Sequence, residues 1–423
     1  MKFIICLLIV AIILGISKHI DGNRAFALNC YDDACTSKCL NDPKKKYKSG
    51  CSYKVSDVDP YVCMCSESPL PDPKSIKKRC ILDDPKHKWD IPIYYTIGDG
   101  LIKNDIHTAI YHIEYETCIR FEEVDNITGY GIQYVKGNEC SSVVGRIFEK
   151  APQNVSIDDN CNSISSIEHE TLHALGMVHE MSRKDRDDHL DVLKDNIHED
   201  NHVNFNVFHH VKTNTYNISF DFGSVMLYDR YAGSENDNPA IVAKNKHYTR
   251  SIGQEYGLSF NDVKLLNMHY CNDICKKKLS CKNKGYTNPN DCKTCKCPRF
   301  FTGTLCDKLI KTPHRCGKRE LIALKYAKQL FVNGRKKCYY HIKSHNKEKK
   351  VYLKISFARF IYEDPCIQDS GLEVKFLKDK STLGAIFCGI HRNELIKSEG
   401  NNIYMYYVGL RKIDKLIIKY WMV

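Results

Sequence analysis

At 423 residues the chain is too long for one compact core, and ordinary domain sizes predict two to four units. Its 22 cysteines point to an oxidising compartment, because so many thiols in a reducing cytosol would need metals or catalytic roles. The formal charge of +12 is uneven: residues 307–423 hold 25 Lys and Arg against 11 Asp and Glu, so the basicity belongs to the C-terminal part.

Met1-Lys2 followed by an unbroken apolar run over residues 3–16 has the form of a secretory signal, with cleavage near Ser17. The run is too short to cross a bilayer, and no later stretch reaches the roughly 20 apolar residues a spanning helix needs. The expectation is a secreted extracellular protein that does not span a membrane and has no nucleic-acid partner. Sequons at Asn126, Asn154 and Asn217 fit that route.

Residues 18–79 carry Cys30, Cys35, Cys39, Cys51, Cys63 and Cys65, a small disulfide-rich module. Cys35 and Cys39 lie one helical turn apart, and Cys63 and Cys65 share one side of a strand. Two bridges could then staple helix to strand. The spacing resembles the cysteine-stabilised αβ fold of defensins, which would pair Cys30 with Cys51, Cys35 with Cys63 and Cys39 with Cys65. A generic disulfide knot fits the same six residues. Pro69, Pro71 and Pro73 precede Lys77-Lys78-Arg79, an extended basic linker of the kind processing proteases cut, so residues 18–79 also read as a propeptide.

Residues 80–271 read as the catalytic domain. A β-rich stretch over residues 89–97 precedes a helical pattern from Ile106 to Thr117. The chemistry lies in His169-Glu170-Thr171-Leu172-His173-Ala174-Leu175-Gly176-Met177-Val178-His179-Glu180. At 3.6 residues per turn His169 and His173 share a helix face and can hold one zinc ion through two imidazoles. Ser165 with Glu168 predicts a capping box just before them. Gly176 can supply the left-handed backbone that ends the helix and returns His179 as third ligand. Glu170, rotated off the ligand face, is placed to act as general base on a zinc-activated water. By chance this extended pattern arises at roughly 10⁻⁵ per chain of this composition; a degenerate, inactive protease is the more serious alternative.

Glu180 and the continuation Met181-Ser182-Arg183-Lys184-Asp185-Arg186-Asp187 resemble the extended zinc signature of astacins, within the metzincin group of zinc endopeptidases. Gly223-Ser224-Val225-Met226-Leu227-Tyr228 resembles the family's Met-turn, with Leu227 where the family usually has His. Asn196-Ile197, Asn204-Phe205, Ile252-Gly253-Gln254, Leu258-Ser259 and Asp262 extend the likeness. The resemblance implies a two-lobed metzincin fold with one zinc ion on His169, His173 and His179. It makes Tyr228 a displaceable further ligand and a catalytic hydrogen-bond donor, Met226 a hydrophobic floor, and Glu180 the residue near which a new amino terminus is buried. It also implies disulfides Cys118–Cys271 and Cys140–Cys161. Activation after Arg79 would expose Cys80, an odd cysteine. Either its thiolate binds zinc before processing or it pairs with another cysteine or chain.

Residues 272–310, with Cys275, Cys281, Cys292, Cys295, Cys297 and Cys306, resemble an EGF-like module; Cys297 is taken to pair with Cys306. Residues 311–423 alternate β-rich runs with turns, as in a sandwich. Cys316 with Cys338, Cys366 with Cys388, Cys366-x-x-Asp369, Leu372-Glu373-Val374, Phe387-Cys388-Gly389 and Gly400-Asn401 resemble an all-β CUB domain. Asp369 and Glu373 lack a later aspartate for calcium. The predicted architecture is α+β and multidomain, acting on extracellular protein or peptide substrates. Two competing readings are a catalytically silent chain whose basic CUB-like unit binds acidic glycans or a protein, and an effector peptide released from the N-terminal module.

Overall fold

Alternating burial of Ile93 and Tyr95, of Ile132 and Tyr134, and of Gln153, Val155 and Ile157 gives three strands one face each for a common core. The structure, a computed structural model, describes residues 51–53, 63–65, 80–207 and 212–423. The signal segment, the helix through Cys35 and Cys39, and the basic triplet at 77–79 lie outside the described residues. In the N-terminal unit, β1 (Cys51–Tyr53) pairs antiparallel with β2 (Cys63–Cys65), Cys51 opposite Cys65.

In the larger unit, β3 (Ile81–Leu82) leads to β4 (Ile93–Ile97) and α1 (Lys103–Glu116). Then come β5 (Phe121–Glu123), β6 (Ile132–Lys136), β7 (Ser141–Ser142), β8 (Gln153–Ile157) and α2 (Ile164–Ala174). The sheet order is β5-β4-β6-β8-β7, parallel except for the β7–β8 pair. The chain reaches the next parallel strand from β4 through α1, as parallel pairing requires a crossover. Helix α1 buries Ile106, Ala109, Ile110 and Ile113, a single apolar stripe at helical spacing. They join Ile93, Ile132, Val155, Ile167 and Leu172 in one core.

Beyond α2 regular structure is sparse. Short ladders join β9 (Leu190–Val192) to β11 (Ile241–Ala243), and β10 (Thr213–Asn214) to β3. Helix α3 (Phe260–Tyr270) closes the domain, and the Cys118–Cys271 disulfide ties its end to the chain after α1. Cys140–Cys161 links the loop before β7 to the approach of α2. All three sequon asparagines are exposed.

Residues 275–306 hold three disulfides, Cys275–Cys292, Cys281–Cys295 and Cys297–Cys306, around the small strands β12 (Tyr286–Thr287), β13 (Cys295–Lys296), β14 (Phe301–Thr302) and β15 (Lys308–Leu309). The C-terminal domain is a sandwich. One sheet has the order β16-β18-β23-β20-β21, from Glu320–Ala323, Lys336–Ser344, Asn402–Gly409, Gly371–Lys375 and Ala385–Phe387. The other is β17-β24-β19-β22, from Lys328–Asn333, Lys415–Met422, Val351–Arg359 and Ile390–Lys397. Cys316–Cys338 and Cys366–Cys388 are bonded.

This sandwich is packed onto the second half of the catalytic domain. Phe222 stacks on Tyr248 at 4.3 Å, and Tyr248 meets Phe376 at 5.6 Å, so the two apolar interiors are continuous. A Cβ on Gly223 would lie 2.6 Å from Leu383 Cβ, so glycine is required at that contact. The outer face of the five-stranded sheet is covered by residues 275–306: Phe300 packs on Tyr339, and Phe301 on Tyr404. Arg299 donates to Glu373 Oε2 at 2.8 Å and to Asp369 Oδ1 at 2.6 Å. The two acidic residues considered for calcium thus share a guanidinium.

Candidate metal centre

Helix α2 begins at Ser163, whose Oγ accepts from the Ser166 N–H at 3.1 Å. The capping box expected from Ser165 and Glu168 does not form. Glu168 Oε1 instead bonds His112 Nδ1 on α1 at 2.6 Å, drawing the carboxylate away from the helix start. A capping box does occur at α3, between Ser259 and Asp262.

The far end of α2 is built to stop. Met177 N–H donates to Leu172 O at 2.9 Å and Gly176 N–H to His173 O at 2.8 Å, the paired bonds of a Schellman motif. Gly176 has φ +99°. The Trp89 indole and the Tyr270 hydroxyl donate to the carbonyls of Ala174 and Leu175 at 2.7 and 2.9 Å, satisfying acceptors the helix leaves open. A Cβ on Gly176 would approach nothing closer than 3.6 Å, so the demand is conformational rather than steric. Gly176→Ala should destabilise the protein by about 1–2 kcal/mol, the cost of a left-handed residue, as read from denaturant midpoints.

That turn brings the three histidines together. His173 Nε2 lies 3.0 Å and His169 Nε2 3.2 Å from His179 Nε2. His169 Nδ1–H donates to Val225 O at 2.7 Å and His173 Nδ1–H to Met177 O at 2.8 Å. With Nδ1 as donor, the Nε2 of each is a bare lone pair aimed at the common point. Burial lowers the pKa of all three, that of His173 to about 3, so the imidazoles are neutral and ready to ligate. A tetrahedral ion with nitrogens at 2.0–2.1 Å sets them about 3.3 Å apart, close to the observed spacings. This donor set fits zinc.

Glu170 is 7% exposed with Oε2 unpartnered. Burial first, then the charge of Glu139, raises its pKa to about 8. The Tyr228 ring lies 4.4 Å from that of His179, and burial, then Glu170, raises its phenol pKa. Met226 is fully buried in the core beneath α2, and its carbonyl accepts from Glu180 N–H at 2.8 Å. Leu227 faces the second core instead.

Several supporting contacts escaped sequence reasoning. Asp262 accepts from Ser224 Oγ at 2.6 Å and Val225 N–H at 3.0 Å, and the carbonyl of Val225 orients His169. Glu180 Oε1 accepts from Arg183 at 3.1 Å and from Asp221 N–H at 2.8 Å. Asp221 Oδ1 in turn accepts from Leu383 N–H of the C-terminal sandwich at 2.8 Å. Cys80 does not join the imidazole cluster and forms no disulfide among the described residues. Its thiol is free, buried and donates to Glu180 Oε2 at 3.0 Å. Burial first, then the charge of Glu180, raises the thiol pKa well above its usual value, which disfavours the thiolate a metal would need. Its backbone explains the placement: Cys80 O accepts from Val178 N–H, and Leu82 N–H donates to Gly176 O.

Residues 81–271 match the model of the Astacin peptidase family. The chain belongs to the astacin family. Residues 318–416 match the CUB domain. Among relatives of this astacin are zinc metalloproteinase nas-34 of Caenorhabditis elegans, 34% identical over 79% of this chain and 55% of that protein, and nas-37 of the same organism, 34% identical over 76% and 41%. The chain thus spans about half the length of these curated relatives. A solved structure, high choriolytic enzyme 1, a hatching enzyme zinc-protease of the medaka Oryzias latipes, is 31% identical over 44% of this chain and 94% of its own, with a TM-score of 0.40. Among the described residues of this astacin no helix is long and apolar enough to cross a membrane.

Proposed function

We propose that this astacin is a secreted zinc endopeptidase that hydrolyses peptide bonds in extracellular protein substrates. The observation that carries the reading is the convergence of three neutral imidazoles beside an unpartnered, buried carboxylate. His169, His173 and His179 hold the ion, with Tyr228 as an additional, displaceable ligand. When bound there, zinc supplies a Lewis acid that polarises the peptide carbonyl and acidifies a water.

Glu170 takes the proton of the attacking water and delivers it to the leaving amine. Burial makes its carboxyl reluctant to ionise alone, and a dication beside it would favour the charged form a base needs. Tyr228 keeps its proton at any physiological pH because burial raises its pKa, so its hydroxyl is a hydrogen-bond donor for the developing oxyanion. Met226 and Glu180 support the ligand loop, and Gly176 shapes it. Tyr228→Phe should lower kcat by roughly 10²-fold with KM little changed, as steady-state kinetics would measure; a raised KM with kcat unchanged would assign the phenol to substrate binding.

We read residues 1–17 as the signal, 18–79 as the propeptide module, 80–271 as a two-lobed metzincin domain, 272–310 as an EGF-like module and 311–423 as the CUB domain. N-terminal sequencing of the secreted protein, together with metal content and cleavage-site mapping on a protein mixture, tests the reading. Stoichiometric zinc with no peptide hydrolysis by processed material would refute it.

A further inference from the structure

The CUB sandwich has two outer faces in different states. The five-stranded sheet is covered by residues 275–306, whereas no described segment covers the outer face of the four-stranded sheet. Alternation along its strands buries Val332, Leu353, Ile355, Leu416 and Ile418 and turns their neighbours outward. Register then sets those neighbours in rows. Trp421 faces Tyr352, which faces Lys397; Lys419 faces Lys354, which faces Leu395. In the next row Phe331, Ile417, Phe357 and Arg392 lie side by side, and then Asn333, Lys415, Arg359 and Ile390.

The face therefore presents Lys354, Arg359, Arg392, Lys397, Lys415 and Lys419, and none of its outward positions is acidic. None of the six is in an ion pair among the described residues. Three of them are held by rings instead. Arg392 lies 4.9 Å over Phe357, Lys397 5.5 Å over Tyr352, and Lys415 5.3 Å over Phe331; Tyr352 and Trp421 stack at 5.7 Å. A sheet of four strands is about 14 Å across, so these cations lie close together, with like-charge repulsion that no acidic partner among the described residues relieves.

We propose that the outer face of this four-stranded sheet binds a linear acidic polysaccharide, its sulfate or carboxylate groups seated on the six cations. The charge requires a polyanion. The cation–π seats pre-organise three of the six charges and so reduce the ordering cost of binding, but they also occupy the ring faces that unpaired bases would stack on. The apolar side chains lie among the charges rather than on a protruding edge, so they form no separate face to enter a bilayer. Seven disulfides among the described residues belong to an oxidising compartment, where extended polyanions are polysaccharides. The surface is independent of the metal centre, so the inference stands or falls apart from peptidase activity.

The test is binding of the full secreted chain to immobilised heparin at 0.15 M salt, against the K354E/R392E/K419E variant and a control, K276E/K277E/K278E, which reverses the same charge on exposed residues elsewhere. At about one fivefold step per cation near an anionic surface, the first variant should lose roughly 100-fold in affinity or more, and the control less than about threefold. Disulfide mass and circular dichroism check the fold. Should the triple variant misfold, each single reversal should lose about fivefold. Equal loss in variant and control, or no loss in either, overturns the proposal. So does tighter binding to phosphatidylserine vesicles or to a single-stranded oligonucleotide of matched charge than to heparin.

Discussion

Glu170→Ala should reduce kcat/KM for peptide hydrolysis by about 10³–10⁴-fold while the protein keeps one zinc ion per chain. General acid–base groups contribute roughly 10²–10⁴, and Glu170 serves both proton transfers, so the upper part of that range is expected. Its side chain makes no hydrogen bond to the histidines, whose Nδ1 atoms are anchored by the Val225 and Met177 carbonyls. The ligand set should therefore survive the substitution. Metal analysis and kinetics on the same preparation separate the outcomes: retained turnover removes Glu170 from the mechanism, whereas lost zinc makes it a structural residue.

Stripping the metal with a chelator should abolish activity reversibly and lower the melting temperature. Three imidazoles converge with their Nε2 atoms 3.0–3.2 Å apart along the two contacts to His179, an arrangement whose lone pairs repel unless an ion lies between them. A ligand present at 1,000 times its dissociation constant stabilises the folded state by about 4 kcal/mol. For a cooperative body of about 340 residues this corresponds to roughly 6 °C. Calorimetry with and without chelator, followed by zinc readdition, checks both halves; an unchanged transition would mean that the folded chain holds no ion.

The ligand helix was legible in sequence because its logic is local. His169, Glu170, His173, Gly176 and His179 lie within eleven residues, where helical periodicity and one left-handed glycine dictate the geometry. The alternation in the C-terminal domain was similarly legible as strands. What supports the centre was not, because it depends on approach between distant segments. Asp262 reaches the Val225 turn across 37 residues, and Asp221 meets Leu383 across 162. Neither contact leaves a periodic trace. The start of α2 shows a subtler failure. Ser163, Ser165 and Ser166 are all competent caps by type, and the choice fell to Ser163 because His112, on another helix, engages Glu168. For Cys80, parity of cysteines left the partner open, because it says nothing about a thiol that finds a carboxylate.

The unbroken passage from Phe222 through Tyr248 to Phe376 affects how the chain can be divided. A fragment ending near Cys271 would leave these rings, and the Asp221 carboxylate that Leu383 caps, facing water. The segments named as modules by their cysteine patterns are thus interdependent in folding: in the larger unit, protease and sandwich are expected to melt as one cooperative body, and a recombinant protease cut free of its C-terminal partner would carry a sticky scar where that partner had been.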